Sequence, residues 1–354
     1  MNKKIFDMNI INHNCLVVNV KLSIDKSVAD HIVEKNNNAF EGKKKRWKEK
    51  KSSNITIAER MYQSGFEARG IRMMQCATFL EIQKCLKCGK RKVVRANLCR
   101  DKFCPICSWR LSSQRALEMA KMLRILCKKE QGVKLQFLTL TQKNVNFSQI
   151  EGEIEKLSKG WHRLVCKNKR SQNKLLGYAR SLEITYNAEK DELHPHQHII
   201  LAWSEDTKPW TQKRWREEWC QAMELDYEPI CKLSKIDYKD SEDKEKTKEI
   251  IKSALEAFKY SIKSKELETM PSEVFKTLVD SLSGKRVVNY GGEFKKIRQE
   301  MGLKQDTEIP EEIEINEDTC SCGDEIINSV LKWSFGDKEY QEIEGISCPH
   351  NNPE

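Results

Sequence analysis

The sequence predicts an α+β protein with antiparallel strands, and three observations lead to this expectation. An apolar, β-branched run of strand length, Leu135–Gln142, precedes an amphipathic helical pattern over residues 147–165. Two more strand-like segments follow, Ala179–Asn187 and Gln197–Trp203, with a short polar stretch between them. That connection fits a hairpin, so the two segments are expected to be antiparallel neighbours.

The remaining patterns divide the chain into four segments. Residues 1–70 are expected to form a poorly defined basic arm, residues 71–130 a cysteine-rich lobe, residues 131–302 the main domain, and residues 303–354 an acidic, peripheral tail. Further elements are predicted from residue spacing and composition, namely helices near 57–67, 112–127, 215–223, 249–265 and 291–302, and a strand near 228–238.

Composition indicates a globular protein that suits a polyanionic partner. The 354 residues carry 63 Lys and Arg against 53 Asp and Glu, a formal net charge of +10, and the stretch Lys43–Lys51 is strongly basic. No apolar run has the length of a membrane span, and the N-terminal stretch lacks the unbroken apolar segment of a signal peptide. A cytoplasmic location without membrane contact is therefore expected.

The cysteines predict a zinc site. Fourteen cysteines without a secretory signal favour metal ligands or buried thiols over disulfides. Cys85-x2-Cys88 and, after fifteen residues, Cys104-x2-Cys107 have the spacing of a four-thiolate Zn²⁺ site, with Cys99 as an alternative ligand. Closed sites of this type are structural, so the Zn²⁺ ion is expected to hold the lobe together without taking part in chemistry.

The stretch HPHQH contains three of the seven histidines, at the start of a predicted strand. Because side chains alternate along a strand, His196 and His198 share one face. Pro195 suits the first residue of a strand, which leaves His194 just outside it as an additional candidate ligand. Glu183 on the neighbouring strand could add a carboxylate, and this set suits Mn²⁺ or Mg²⁺ with positions open for substrate oxygens.

The stretch EAFKYSIK supplies a candidate nucleophile. On a helix, Glu256, Tyr260 and Lys263 would share one polar face at i, i+4 and i+7. A free tyrosine has a pKa of about 10 and reacts poorly at pH 7, so a neighbouring ammonium group or a metal-bound electrophile would have to activate it. From this motif alone, a surface tyrosine on a salt-bridged helix is the alternative.

Taken in order, FLTLTQ, LEITYN, HPHQHIILA and EAFKYSIK, preceded by LCRDKFCPICSWR, resemble the HUH endonucleases, specifically the single-tyrosine initiators of plasmid rolling-circle replication. The resemblance covers roughly residues 71–300 and is specific in the order and spacing of its motifs. It implies a central antiparallel sheet flanked by helices, preceded or interrupted by the zinc lobe. One departure is Gln197, since the family usually has a bulky apolar residue between the two histidines; the opposite face of the strand is therefore expected to be less buried or to contact a polar group.

The resemblance also implies a role for each matching residue and a reaction. The tyrosine would attack one phosphodiester of origin DNA, giving a 5'-phosphotyrosyl enzyme and a free 3'-OH for a host polymerase. The matches are metal ligands at His196, His198 and Glu183, a nucleophile at Tyr260, a carboxylate that activates water at termination at Glu256, and the family's lysine at Lys263.

The expected partners are single-stranded or extruded origin DNA and a host helicase, with the basic arm and the zinc lobe as candidate DNA contacts. Binding through phosphates would depend on salt. The chain has no Walker-type lysine loop, so no ATPase activity is expected.

Two alternatives remain open at this stage. A single-tyrosine HUH transposase would share the histidine pair and the tyrosine helix, although the cysteine cluster ahead of the first strand favours the initiator. A zinc-stabilised DNA-binding regulator without catalysis would use the histidines as a second structural metal site.

Overall fold

The computed structural model combines antiparallel sheets with flanking helices, which confirms the predicted α+β class. It describes residues 4–11, 17–24, 26–170, 175–236, 253–254, 256–258, 261–303 and 319–343. In chain order the elements are β1 (Lys4–Ile11), β2 (Val17–Ile24), α1 (Lys26–Gln63), α2 (Glu67–Gln75), β3 (Phe79–Cys85), β4 (Arg91–Ala96), α3 (Pro105–Lys129), β5 (Lys134–Thr141), β6 (Val145–Asn146), a 3-10 turn (Phe147–Gln149), α4 (Ile150–Arg170), β7 (Leu175–Asn187), β8 (Glu192–Trp203), α5 (Gln212–Met223), β9 (Cys231–Ile236), α6 (Ser264–Thr269), α7 (Ser272–Leu282), β10 (Val288–Gly292), α8 (Glu293–Glu300), β11 (Ile326–Ser334) and β12 (Glu339–Ile343).

The chain divides into two compact units, and this division differs from the four predicted segments. Unit 1 comprises Met1–Ala58, Ala68–Cys99 and Ile309–Glu354, and unit 2 comprises Glu59–Glu67 and Arg100–Glu308.

Unit 1 contains a four-stranded antiparallel sheet in the order β12-β11-β3-β4. Strand β11 pairs with β3, with Leu331 opposite Leu80. The expectation of a peripheral C-terminal tail is therefore wrong for β11 and β12, because apolar residues such as Val330 and Tyr340 are buried in this sheet. The basic run Lys43–Lys51 lies within helix α1, so it is not a poorly defined arm.

Unit 2 contains the main sheet, with the strand order β10-β7-β8-β5-β9 and with β6 paired to β8. Strands β7 and β8 form the predicted antiparallel hairpin. Alternate residues of β8 face two separate cores: Ile200 packs with residues of α3 and α8, whereas Ile199 packs with tryptophans of α4 and α5. The sheet therefore has helices on both faces, and the α3 side is the face that carries the histidines.

Among the residues that the structure describes, no helix is both long enough and apolar enough to cross a membrane.

Candidate metal centre and catalytic site

Strand register brings the two histidines and the glutamate together. Strand β8 lies between β7 and β5, with Glu183 directly opposite His196 and with Thr139 directly opposite His198. Side chains that are opposite each other or two residues apart along a strand lie on the same face of a sheet. Glu183, His196 and His198 consequently project from one face of the sheet, as the sequence predicts.

The three side chains converge on a single point. The Glu183 Oε2 atom lies 3.1 Å from Nε2 of His196 and 2.8 Å from Nε2 of His198. The site is shielded from solvent, since Glu183 is 4% exposed and His198 is 7% exposed. Phe137 stacks on the His198 ring, with 5.6 Å between ring centroids, and so fixes its plane.

The second nitrogen of each imidazole is also engaged. The Nδ1 atom of His196 lies 3.3 Å from the carbonyl oxygen of His194, which can only accept, so this contact is a hydrogen bond in the tautomer that has its proton on Nδ1. The Nδ1 atom of His198 lies 3.1 Å from the hydroxyl of Thr139, which can accept in the same way. These contacts favour the tautomer in which both Nε2 atoms present a lone pair towards the carboxylate.

This donor set fits a divalent cation. Lone pairs on two Nε2 atoms and a carboxylate oxygen repel one another, so a proton or a metal ion must lie among them to stabilise the arrangement. Two ligands about 2.1 Å from an octahedral ion and at right angles to each other are about 3 Å apart. The separations of 2.8 and 3.1 Å therefore match adjacent positions on such an ion, and two histidines with one carboxylate leave further positions open.

His194 lies inside strand β8, opposite Thr185, and not outside the strand as predicted. Pro195 is tolerated there because β5 stops pairing at His196 and β6 starts at Leu193, so the proline breaks no ladder bond on that side. The His194 ring is 5.4 Å from that of His196. Burial, helped by the nearby His196, lowers the pKa of His194.

The predicted nucleophile, Tyr260, lies outside the described residues, but its neighbours in sequence contact strand β7. The Ser181 hydroxyl donates to the carbonyl of Ala257, and the Ile184 amide donates to the carbonyl of Ser261 at 2.7 Å. Ser181 and Ile184 are close to Glu183 in the same strand. The segment that contains the tyrosine is therefore attached on both sides to the strand that carries the glutamate.

The predicted continuous helix over 249–265 is wrong in its second half. Residues 256 and 257 are helical, residue 258 is in a turn, and a new helix, α6, begins at Ser264 with Lys263 as its N-cap residue. The Ser261 carbonyl accepts from strand β7 and is not used within a helix. Lys263 consequently does not share a helix face with Glu256; its Nζ atom lies 3.6 Å from Oε1 of Glu266.

Glu266 connects helix α6 to the same strand. Its Oε2 atom accepts a hydrogen bond from the Tyr186 amide at 2.9 Å. Burial raises the pKa of Glu266, although the Tyr186 amide and Lys263 act in the opposite direction. Glu256 is exposed in its helical turn.

The grouping of the cysteines differs from the predicted one. Cys85 and Cys88 lie together with Cys320 and Cys322, and not with Cys104 and Cys107 as their spacing predicted. The reason is the register of β11 on β3, in which Ile326 is opposite Cys85, so the turn that precedes β11 meets the turn that follows β3. The signal for this grouping was present in the sequence as CSCG at 320–323, but no local pattern connects segments more than 200 residues apart.

The other predicted zinc ligands, Cys104, Cys107 and Cys99, are not part of the group around Cys85. In unit 2, Cys104 is the N-cap residue of α3, and its Sγ atom accepts from the Cys107 amide at 3.5 Å. In unit 1, the amide of Cys99 donates to Sγ of Cys76 at 3.4 Å.

The departure at Gln197 has a structural counterpart on the opposite face of the sheet. Gln197 is 2% exposed, so the expectation of a less buried face is wrong. Its side chain borders a cavity of about 450 Å³ that is also lined by Arg180 and Leu182. Arg180 lines the same cavity as Gln197, so a polar group lies on this face of the sheet, in line with the second part of the expectation. Burial lowers the pKa of Arg180 to about 10.

The fold and the site together define an α+β protein with a two-histidine, one-carboxylate centre on the face of an antiparallel sheet. The family model described as "Replication protein" matches residues 90–341. A "Protein rep" of Bacillus amyloliquefaciens is 30% identical over 327 residues, covering 84% of this chain and 94% of the relative. A "Protein rep" of Lentilactobacillus hilgardii is 29% identical over 308 residues, covering 84% and 95%. No solved structure matches the chain.

The chain belongs to the replication protein family, and the resemblance to plasmid replication initiators is thereby confirmed.

Proposed function

We propose that this protein starts plasmid rolling-circle replication by nicking one strand of origin DNA in a metal-dependent transesterification. The observation that carries the proposal is the convergence of His196, His198 and Glu183 Oε2 within 3.1 Å, on the strand pair to which the neighbours of Tyr260 are attached. Membership of the replication protein family supports initiation of replication over transposition.

In this proposal the Nε2 atoms of His196 and His198 and a carboxylate oxygen of Glu183 hold Mn²⁺ or Mg²⁺. The ion would supply Lewis acidity at the phosphate, withdrawing charge from its non-bridging oxygens. Thr139 and the His194 carbonyl keep the two imidazoles in the tautomer that can bind it. Phe137, stacked on His198, holds the ring in place.

Tyr260 is the proposed nucleophile. Its phenolic oxygen forms a bond to phosphorus while the bond from phosphorus to the 3'-oxygen breaks, and the phenolic proton passes to solvent. The displaced 3'-oxygen takes up a proton, which gives a 3'-OH that a host polymerase can extend after a host helicase opens the duplex. At termination, Glu256 would act as a general base on the water that hydrolyses the phosphotyrosyl bond.

Lys263 has a different proposed role from the one implied by a shared helix face. It lies at the N-cap of α6, beside Glu266, which accepts from the amide of Tyr186 in β7. We expect it to place positive charge next to the strand that carries Glu183, where a DNA phosphate would approach.

A covalent-adduct assay tests the proposal. Wild-type protein, labelled single-stranded origin DNA and Mn²⁺ are expected to give a protein–DNA adduct that disappears with EDTA and in Tyr260→Phe. The matched control is Tyr186→Phe, which removes an exposed hydroxyl bonded to Asp191 on the same strand hairpin and should leave the adduct unchanged. If DNA binds but no origin-derived strand yields an adduct, the zinc-stabilised regulator without catalysis becomes the better interpretation.

A further inference from the structure

Two turns of unit 1 carry cysteine pairs, and each turn is closed by two backbone hydrogen bonds. After β3, the Cys85 amide donates to the Lys90 carbonyl, and the Gly89 amide donates to the Cys85 carbonyl. Before β11, the Cys320 amide donates to the Asp324 carbonyl, and the Gly323 amide donates to the Cys320 carbonyl. In both turns the amide and the carbonyl of the first cysteine are used to close the turn, although the turn at Cys85 is one residue longer than the turn at Cys320.

A glycine follows the second cysteine of each turn in a backbone conformation that other residues rarely adopt. The φ angle is +68° at Gly89 and +79° at Gly323. The amide of Cys88 also points at the Sγ atom of Cys85, 3.5 Å away. An amide in this position can donate to the sulfur while the sulfur binds a metal ion.

The two turns bring their four sulfur atoms together. The Sγ atoms of Cys85 and Cys322 are 3.5 Å apart, those of Cys88 and Cys320 are 3.6 Å apart, and all four lie within 4.8 Å of one another. Sulfurs at the corners of a tetrahedron about 2.3 Å from a central Zn²⁺ ion are about 3.8 Å apart. Disulfide-bonded sulfurs would be only about 2.05 Å apart, and none of these four cysteines forms a disulfide.

The surroundings of the four sulfurs suit a metal better than a hydrophobic core. Three of the cysteines are at most 6% exposed, yet the only other apolar residue packed with them, among those the structure describes, is Ile326. Four thiolates around one Zn²⁺ ion carry a net charge of −2. The stretch 84–92, KCLKCGKRK, places five basic residues around the first turn and would offset that charge.

We infer that Cys85, Cys88, Cys320 and Cys322 bind one structural Zn²⁺ ion, which fastens the strand pair β11–β12 to β3 and β4. On binding, the four thiols release their protons and the sulfurs become the four ligands of a closed, non-catalytic site. This inference concerns unit 1 and does not depend on the proposed nicking activity.

Metal analysis of purified full-length variants tests the ligand set. Cys320→Ser/Cys322→Ser is expected to lose one equivalent of zinc per chain relative to wild type, and Cys85→Ser/Cys88→Ser should lose the same equivalent. The quadruple variant should lose one equivalent and not two, because all four residues share one ion. The control is Cys166→Ser/Cys220→Ser, which changes two partly exposed cysteines outside the cluster and should keep the wild-type zinc content.

Two further measurements keep the inference testable if the serine variants fold poorly. Cys322→His should retain the zinc that Cys322→Ser loses, since an imidazole can replace one thiolate in a closed zinc site. In the wild-type protein, alkylation followed by peptide mass spectrometry should show Cys320 and Cys322 protected before chelation and reactive after it. Cys231 should stay unreactive in both conditions, because it is buried in the core of unit 2 and burial raises the pKa of its thiol to about 11.

Unchanged zinc content in both double variants would overturn the inference. So would recovery of a Cys85–Cys322 or Cys88–Cys320 disulfide from wild-type protein purified without added oxidant, or alkylation of Cys320 that does not respond to the chelator.

Discussion

Glu183 and His198 meet across neighbouring strands, with Oε2 of the carboxylate 2.8 Å from Nε2 of the imidazole. Both side chains are almost completely buried, so the charge of the carboxylate depends on a cation supplied at this point.

Glu183→Gln is expected to weaken Mn²⁺ binding and to reduce adduct formation about 100-fold or more, because the substitution keeps the shape but removes the charge that holds the ion. Calorimetric titration with Mn²⁺ measures the binding step without DNA. The control is Glu192→Gln. Glu192 lies in the same sheet, and among the described residues its carboxylate is bonded only to Asn144. Equal Mn²⁺ affinity in wild type and Glu183→Gln would refute the assignment of this ligand.

Thr139→Val is expected to lower Mn²⁺ affinity about 10-fold to 100-fold while leaving the rate at saturating metal nearly unchanged. Valine has nearly the same shape as threonine but cannot bond to Nδ1 of His198, so the imidazole loses the contact that favours its metal-binding tautomer. The metal dependence of the nicking rate separates the two quantities. The control is Thr185→Val, which should behave like wild type. Among the described residues, the Thr185 hydroxyl contacts only the His194 carbonyl, at 3.5 Å.

Gln197→Leu is expected to raise the free energy of unfolding by about 1 kcal/mol. The Gln197 Oε1 atom is buried and has no hydrogen-bond partner in the described part of the chain, so an apolar side chain removes an unsatisfied group. The matched control is Gln136→Leu, since Gln136 is also buried but accepts from Trp203 and donates to the Trp210 carbonyl. The free energy of unfolding of Gln136→Leu should fall by about 1–3 kcal/mol. Urea denaturation should therefore show changes of opposite sign for the two variants.

Lys51→Met is expected to lower the free energy of unfolding by about 2–4 kcal/mol, because Nζ donates to the carbonyls of Met74 and Cys76 and both would lose a partner. Lys51 is completely buried, although it belongs to the basic run that the sequence assigned to DNA contact. Lys45→Met, in the same run but exposed, should leave stability within about 0.5 kcal/mol of wild type. Similar unfolding curves for the two variants would contradict the buried role of Lys51.

The strands of unit 2 and the metal-site face could be predicted because their signals are local. Alternation puts His196 and His198 on one face whatever the rest of the chain does, and the short connection between β7 and β8 makes Glu183 a neighbour. Thr139 is not among the predicted site residues, because a threonine in an apolar strand is common. Only the register of β5 on β8 shows that its side chain reaches an imidazole.

Sequence reasoning failed where a contact joins distant segments. The spacing between Cys88 and Cys104 fits a zinc site. Spacing along one segment cannot show, however, that Cys320 from the other end of the chain lies beside Cys88. The helix expected to continue to residue 265 fails for a related reason, since the Ser261 carbonyl bonds to Ile184 in a strand about 80 residues earlier. In both cases tertiary contacts outweigh the local pattern.

The pairing of β3 with β11 also determines when unit 1 can complete its fold during synthesis of the chain. Leu80 leaves the ribosome about 250 residues before its partner Leu331, a delay of about 12–50 seconds at about 5–20 residues per second. The strands of the candidate metal site emerge and can pair within that interval, while one edge of β3 is still unpaired. A copy that ends prematurely after residue 303 would therefore carry all the candidate metal-site residues in unit 2 together with an unpaired strand edge in unit 1. Unpaired edges of this kind aggregate or attract proteases.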